Sequence, residues 1–333
     1  MIRKPDAFIV GAPKCGTTAM DRYLAGHPDV FTARKEMHLF GPDLQFGSQF
    51  YRRDPYAYLQ EFSGWNGQRR IGESSVWYLF STQAAREMKA FSPNARVIIM
   101  LREPAEMLHS LYNSFRFDAN ENLPTFEAAL AAEEDRRAGR KIPSRTYLAQ
   151  GLAYRETARY TDQVKRYFDV FGRERVHVII YDDLAADTAA AYQATLEFLE
   201  VDSRRTGIDF GRINGAQEVK SLALRSVLRN PLLCSTVLAV RPYLPRALFG
   251  AMQKFEAGLR NFNCRPAKRP PISPELRSRL KREFAPEVER LGELLGRDLT
   301  HWSRDDSEQK PRPKTTSPAR VEKDSNFVDA AWK

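Results

Sequence analysis

The feature that most constrains this sequence is the segment GAPKCGTT at residues 11–18. It follows a short apolar run, residues 7–11, which has the composition of a buried parallel strand. A helix is predicted directly after it, from about Thr17 to Ala25, because Met20, Tyr23 and Leu24 recur at helical spacing. A strand, a glycine-containing turn and a helix in this order direct free backbone N–H groups toward an anion. The segment therefore predicts an anion-binding loop at the end of a strand.

Further strands and helices alternate along the first 200 residues. Apolar runs predict strands at 71–75, 95–101 and 175–181, and helical spacing predicts helices from Pro104 onward and through 160–168. Strands separated by helices predict an α/β fold, a three-layer sandwich with a central parallel sheet and a P-loop-like phosphate-binding loop. We expect one domain over 1–302, with a helical cap or subdomain at about 221–260. The polar segment 303–333 is predicted to be a disordered tail.

The loop departs from the P-loop pattern GxxxxGK[ST] at one position. Gly11, Gly16 and Thr18 match that pattern, but Thr17 stands where the lysine is required and Lys14 lies three residues earlier. Enzymes that use nucleoside triphosphates manage a dense negative charge with that lysine and Mg²⁺. A phosphosulfate carries less charge, so one positioned lysine without a metal would suffice. The shifted lysine favours a phosphosulfate over a triphosphate.

At this point the sequence resembles a known family. The segment PKCGTTAM at 13–20 resembles the 5′-phosphosulfate loop of sulfotransferases that use 3′-phosphoadenosine 5′-phosphosulfate (PAPS), and is closest to K-x-G-T-T-A-L of heparan sulfate N-sulfotransferases. The segment LAGHPDV at 24–30 is similar to the family's L-x-x-H-P-x-V. The resemblance implies PAPS as co-substrate, no metal, and a catalytic Lys14 that neutralises the leaving phosphate. It also implies a set of residues that bind the co-substrate, namely Lys14, Cys15, Gly16, Thr17 and Thr18.

A second anion site is predicted after the strand at 95–101. The segment REPAEMLHSLY at 102–112 resembles the family's 3′-phosphate motif R-x-P-x-x-R-x-x-S-x-Y, with Met107 in place of the internal arginine. Arg102 follows the carboxyl end of the strand, where ligands of open parallel sheets bind. The resemblance implies that Arg102 and Ser110 hold the 3′-phosphate.

The segment RKEMHLF at 34–40 resembles K-E-x-H-F-F of the glycan 3-O-sulfotransferases. This resemblance implies that Glu36 is the catalytic base for the acceptor and that His38 supports it. An alcohol is a poor nucleophile, and a buried carboxylate with a raised pKa can take its proton. Ser74 stands where many members have the lysine of E-K-S-P, which argues against a heparan-type polyanionic acceptor. The acceptor class stays open beyond a hydroxyl or amine, with carbohydrate and lipid among the candidates.

Composition limits the alternatives. The 52 Lys and Arg outnumber the 42 Asp and Glu, but the net charge of +10 is dispersed, so no nucleic-acid partner is expected. The three cysteines form no CxxC pair, which with the missing signal sequence favours a cytoplasmic protein. The apolar run at 231–240 is too short to span a membrane, and peripheral membrane contact stays open. The alternative functions are a P-loop-type nucleotide kinase and a basic nucleic-acid-binding module. Oligomeric state is not indicated.

Overall fold

The structure, a computed structural model, describes residues 3–47, 53–144, 146–204, 210, 217–219, 258, 264–266 and 271–304. The predicted helical cap at 221–260, apart from residue 258, lies outside the described residues. So does the predicted tail beyond residue 304.

A five-stranded parallel sheet lies at the centre of the fold. Its spatial order is β2-β3-β1-β4-β5, and every neighbouring pair is parallel. The two central strands, β1 and β4, are buried along nearly their whole length, as expected for a sheet covered on both faces. The bounds of the strands are β1 Ala7–Gly11, β2 Val30–Thr32, β3 Arg70–Ser74, β4 Arg96–Leu101 and β5 Val176–Ile180.

Helices cover both faces of this sheet. On one face α1 (Thr17–Ala25) packs beside α10 (Thr188–Phe198), where the Tyr192 hydroxyl donates to the Tyr23 carbonyl over 3.3 Å. On the other face α8 (Tyr160–Phe171) contacts α3 (Ala84–Phe91) and α11 (Pro274–Leu295), and α11 also contacts α4 (Pro104–Phe117). Right-handed crossovers require this division, because the chain leaves β1 in one direction along the sheet and returns through β3, β4 and β5 in the other. The prediction of a three-layer α/β sandwich with a P-loop-like loop is confirmed.

The helices have the following bounds: α1 Thr17–Ala25, α2 Pro55–Gln60, α3 Ala84–Phe91, α4 Pro104–Phe117, α5 Phe126–Ala131, α6 Glu133–Arg137, α7 Tyr154–Thr157, α8 Tyr160–Phe171, α9 Tyr181–Ala186, α10 Thr188–Phe198 and α11 Pro274–Leu295. A separate antiparallel pair joins β6 Gln217–Val219 to β7 Cys264–Pro266. No helix in the described ranges is both long and apolar enough to cross a membrane.

The predicted strand ends differ from the structure by one residue, most informatively at Tyr181. Tyr181 was expected to continue the last strand, but β5 ends at Ile180 and Tyr181 begins α9. The next two residues, Asp182 and Asp183, fall in the first turn of that helix. Acidic side chains stabilise a helix N-terminus, and this local charge overrides the apolar pattern.

The end of β1 is fixed by close backbone contacts. The Ala12 N–H donates to the Met100 carbonyl of β4 over 2.7 Å, and the Leu79 N–H donates to the Val10 carbonyl over 2.8 Å. Gly11 has a φ of +153°, and a Cβ atom there would lie 2.6 Å from the Cβ of Leu79. This position therefore needs glycine, because any side chain would push the loop away from the strand end.

Candidate active site

The loop predicted to bind an anion runs from the end of β1 to the start of α1. Gly16, with a φ of +92°, caps the helix without a side-chain hydrogen bond, so the first turn is open toward the loop. Thr17 is buried and Thr18 is half-buried at this turn. The geometry matches a phosphate-binding helix start, in which backbone N–H groups and the helix dipole act together.

Lys14 crosses the site toward α4. Its backbone is left-handed, with a φ of +65°, and its ammonium Nζ donates to the Ser114 hydroxyl over 3.4 Å. Ser110 lies one helical turn before Ser114 on the same face of α4, and it is buried. The Lys14 ammonium thus reaches the helix that carries the predicted Ser110, and it contacts Ser114, which the motif comparison missed. The i, i+4 spacing of the two serines was the available signal.

The side chain of Cys15 points from the loop into the hydrophobic core. Its thiol is fully buried, with Sγ 3.5 Å from the Pro13 carbonyl oxygen. Burial raises the pKa of this thiol to about 12, against the smaller lowering effects of Arg102 and Tyr160. The side chain therefore packs the loop from below, and the backbone at Cys15 is the part that can face a bound anion.

Arg102 stands at the end of β4, at the same edge of the sheet as Lys14. Its guanidinium lies 3.3 Å from Glu106 Oε2 and stacks over the Tyr181 ring at 4.7 Å from the centroid. The other oxygen of Glu106 is 2.5 Å from a guanidinium nitrogen of Arg277 on α11. Glu106 therefore holds two arginines beside the predicted 3′-phosphate position. Met107, which replaces the family's internal arginine, is fully buried.

Glu36 and His38 form the predicted pair in the loop after β2. Glu36 Oε2 lies 3.1 Å from His38 Nε2 and accepts the Val76 N–H over 3.2 Å. The Glu36 side chain is 39% exposed, so an acceptor can reach it, whereas His38 is buried. Both residues have left-handed backbones, with φ of +61° and +48°. Val76 also lies close to the predicted anion-binding loop. A Cβ atom placed on Gly11 would be 2.7 Å from the Val76 carbonyl oxygen.

The expectation of a raised pKa for the base is wrong. Burial raises the pKa of the Glu36 carboxyl, but the hydrogen bond and charge of His38 outweigh it, with help from Lys35 and the Val76 N–H. The net pKa lies below that of an ordinary glutamate. Glu36 is therefore ionised at neutral pH and ready to accept a proton, which a base requires.

The carboxyl with a raised pKa is that of Glu73, at the end of β3. It is 2% exposed, and burial raises its pKa to about 8, with the charge of Glu36 adding to the effect and a hydrogen bond from Ser75 opposing it. Asp21 on α1 is also buried, and its pKa is raised to about 6 by burial against the opposing charge of Lys35. Among Glu36, Asp21 and Glu73, the highest pKa is that of Glu73, so Glu73 is the carboxyl that keeps its proton at neutral pH.

Lys35 brings a positive charge close to Ser74, the residue that stands where many family members have the lysine of E-K-S-P. Its ammonium donates to the Ser74 hydroxyl over 3.1 Å. Within the described part of the chain, no group of three His, Cys, Asp or Glu side chains is arranged to hold a metal ion. The metal-free reaction stays a prediction.

Comparisons with known proteins identify a family match and a similar solved structure. The family model of the sulfotransferase domain matches residues 4–219. The crystal structure of a sulfotransferase from Alicyclobacillus acidocaldarius is 30% identical, with a TM-score of 0.65, covering 91% of this chain and 100% of that one.

Two curated relatives match over shorter stretches. The membrane-associated sulfotransferase kil1 of Dictyostelium discoideum is 28% identical over 33% of this chain and 22% of its own. The human heparan sulfate glucosamine 3-O-sulfotransferase 5 is 24% identical over 60% of this chain and 54% of its own. The matched part thus spans about half, or less, of the length of these curated relatives.

Replacing Glu73 with glutamine should stabilise the protein increasingly as the pH rises from 5 to 7. The pKa of Glu73 is about 8 in the folded protein and 4.5 in an ordinary glutamate, so unfolding releases a proton between these values. The free energy of unfolding of the wild type therefore falls with rising pH in this window, and glutamine removes that loss. Urea unfolding at both pH values should show the advantage of the variant growing by about 2 kcal/mol. A pH-independent difference would contradict a neutral Glu73.

Proposed function

Because the chain belongs to the sulfotransferase domain family, we propose that it transfers a sulfuryl group from PAPS to a hydroxyl or amine acceptor. The observation that carries the proposal is the convergence of three groups at one edge of the sheet. Lys14 and Arg102 follow the ends of adjacent strands, and Glu36 is bound to Val76, which touches the same loop at Gly11.

The residues of the loop fit a phosphosulfate. Gly11 and Gly16 keep the backbone close to the strand end, the first turn of α1 offers its N–H groups, and Lys14 adds one positive charge. Arg102, with Ser110 on the following helix, suits the 3′-phosphate, because a guanidinium matches phosphate oxygens bidentately. Bound PAPS would supply the sulfuryl group and the leaving 3′,5′-diphosphoadenosine.

Each residue then has one task in an in-line transfer. Glu36 takes the proton of the acceptor O–H or N–H as the acceptor atom bonds to sulfur. Lys14 neutralises the charge that develops on the 5′-phosphate oxygen as its bond to sulfur breaks. Holding the co-substrate at both phosphates fixes the sulfur beside the attacking atom, so positioning and charge stabilisation supply most of the rate.

We also propose that residues 1–302 form a single sulfotransferase domain, because the proposed site residues follow or flank strands of one sheet. We also propose a cytoplasmic location on the cysteine content of the sequence, whereas one of the relatives is a membrane-associated sulfotransferase. The acceptor class stays open, with carbohydrate and lipid among the candidates, and a screen with sulfur-labelled PAPS over glycan, lipid, phenol and peptide acceptors tests both activity and class. No transfer to any acceptor class would count against the proposal.

Arg102→Ala should weaken the binding of 3′,5′-diphosphoadenosine about 10- to 100-fold, because hydrogen bonds to a charged phosphate are lost. Isothermal titration calorimetry measures this directly. Arg175→Ala is the matched control, since Arg175 is partly buried at the opposite edge of the sheet, where it bonds to the Asn94 carbonyl. Equal affinities for the two variants would remove Arg102 from the nucleotide site.

Lys14→Ala should lower sulfuryl transfer at least about 100-fold while the fold is kept, because one preorganised charge at the leaving group is removed. Transfer of labelled sulfate measures the loss, and circular dichroism checks the fold. Lys165→Ala, an exposed lysine of α8 paired with Asp169, is the control and should retain wild-type turnover. Full activity in Lys14→Ala would refute the role of Lys14.

Glu36→Gln should lower kcat by about 100- to 10,000-fold, the usual range for a lost general base. The affinity for 3′,5′-diphosphoadenosine should stay unchanged, because Glu36 lies on the acceptor side of the loop. Steady-state kinetics and calorimetry on the same preparation separate the two effects. A parallel loss of turnover and nucleotide affinity would contradict the assignment of Glu36 as base.

A further inference from the structure

A continuous chain of hydrogen bonds runs from the buried end of β3 to the loop that carries the base. The Ser75 hydroxyl donates to Glu73 Oε1 over 2.5 Å and accepts the backbone N–H of His38 over 3.0 Å. The His38 ring then contacts Glu36 over 3.1 Å. Glu73, Ser75 and His38 are all at least 95% buried, so water does not compete for these bonds.

This chain acts at a strained point of the backbone. Glu36 and His38 both have positive φ, which costs a residue other than glycine about 1 kcal/mol or more. The surrounding structure must therefore hold the loop in place. The Glu36 N–H donates to the Ser74 carbonyl over 2.8 Å, and the Ser75 hydroxyl holds the loop again at His38.

The direction of the Ser75 hydroxyl decides whether it can hold His38. A hydroxyl has one proton, and it accepts the His38 N–H through a lone pair only when that proton points elsewhere. Glu73 Oε1 accepts a hydrogen bond from this hydroxyl, so the proton points toward Glu73. The aromatic rings of Phe46 and Tyr78 confine the His38 ring. The only requirement on Glu73 is thus an acceptor oxygen at this place, since its charge is not needed.

We propose that Glu73 is a positioning residue for the base: through the Ser75 hydroxyl it fixes the His38 backbone, and His38 in turn holds the Glu36 carboxylate toward the acceptor. The proposal rests on the proposed function for the role of Glu36. The support of the loop by Glu73 is a structural claim, and it can be tested without any transfer assay.

Two uncharged replacements of similar volume separate the acceptor oxygen from every other property of Glu73. Glu73→Gln keeps a carbonyl oxygen for Ser75, whereas Glu73→Leu removes it. Ser75→Ala removes the hydroxyl itself. Thr195→Ala is the matched control, because Thr195 is equally buried and its hydroxyl donates to the Ala191 carbonyl over 2.8 Å within α10, in another part of the fold. Thermal unfolding of all four variants confirms that each is folded under the conditions of measurement.

Amide hydrogen exchange at His38, by NMR or on a peptide covering 34–40, is the structural readout. We expect exchange to be at least about 10-fold faster in Glu73→Leu and Ser75→Ala, and as slow as in the wild type in Glu73→Gln and Thr195→Ala. Wild-type protection in Glu73→Leu, or lost protection in Glu73→Gln, would overturn the proposal. This result stands whether or not the protein transfers sulfate.

Kinetics provide the second readout. In Glu73→Leu and Ser75→Ala we expect kcat to fall about 10- to 100-fold, as for a misplaced catalytic group, with an unchanged affinity for 3′,5′-diphosphoadenosine. Glu73→Gln should restore kcat to near the wild-type value. A similar fall of kcat in Glu73→Gln and Glu73→Leu would also overturn the proposal. If the wild type transfers no sulfate to any acceptor, the proposed function fails. The exchange data alone then test whether Glu73 supports the His38 loop.

Discussion

The hydrogen bond from the Ala12 N–H to the Met100 carbonyl, 2.7 Å long, is the contact on which the rest of the site depends. It closes the end of β1 onto the end of β4, and the loop that follows must then turn back over the sheet edge. Lys14 and Arg102 follow these two strand ends, so both positive charges lie at the same end of the sheet. Open parallel sheets bind ligands at this edge, because neighbouring strands deliver their next residues there.

Two neighbouring glutamates show how the fold divides the chemistry of the acceptor side. Glu36 is partly open to solvent and bound by His38, so it loses its proton easily. Glu73 is enclosed and feels the negative charge of Glu36, so it keeps its proton. The environments push the two pKa values apart, so an ionised carboxylate at Glu36, the proposed base, lies near a neutral hydrogen-bonding carboxyl at Glu73.

Local sequence patterns predicted the elements that depend on local chemistry. The helix at Thr17–Ala25 has the predicted bounds, and the three strands differ by one residue at their ends, because glycine, proline and apolar spacing mark these places. Contacts between distant segments had no such signal. The bond from Ser75 to His38 and the approach of Arg277 to Glu106 arise from the packing of separate elements. The direction of the Glu36 pKa was missed for the same reason, since it depends on which groups surround the carboxyl.

The thiol of Cys15 sits directly under the loop, yet it is closed to solvent and holds its proton at any physiological pH. Thiol oxidants and alkylating reagents act on the exposed thiolate, which this residue does not offer. A cysteine in the middle of a predicted anion-binding loop is easily interpreted as a redox sensor. Here it serves as a small apolar filler, and the folded enzyme should go on working through oxidative stress that silences proteins with an accessible cysteine at the same place.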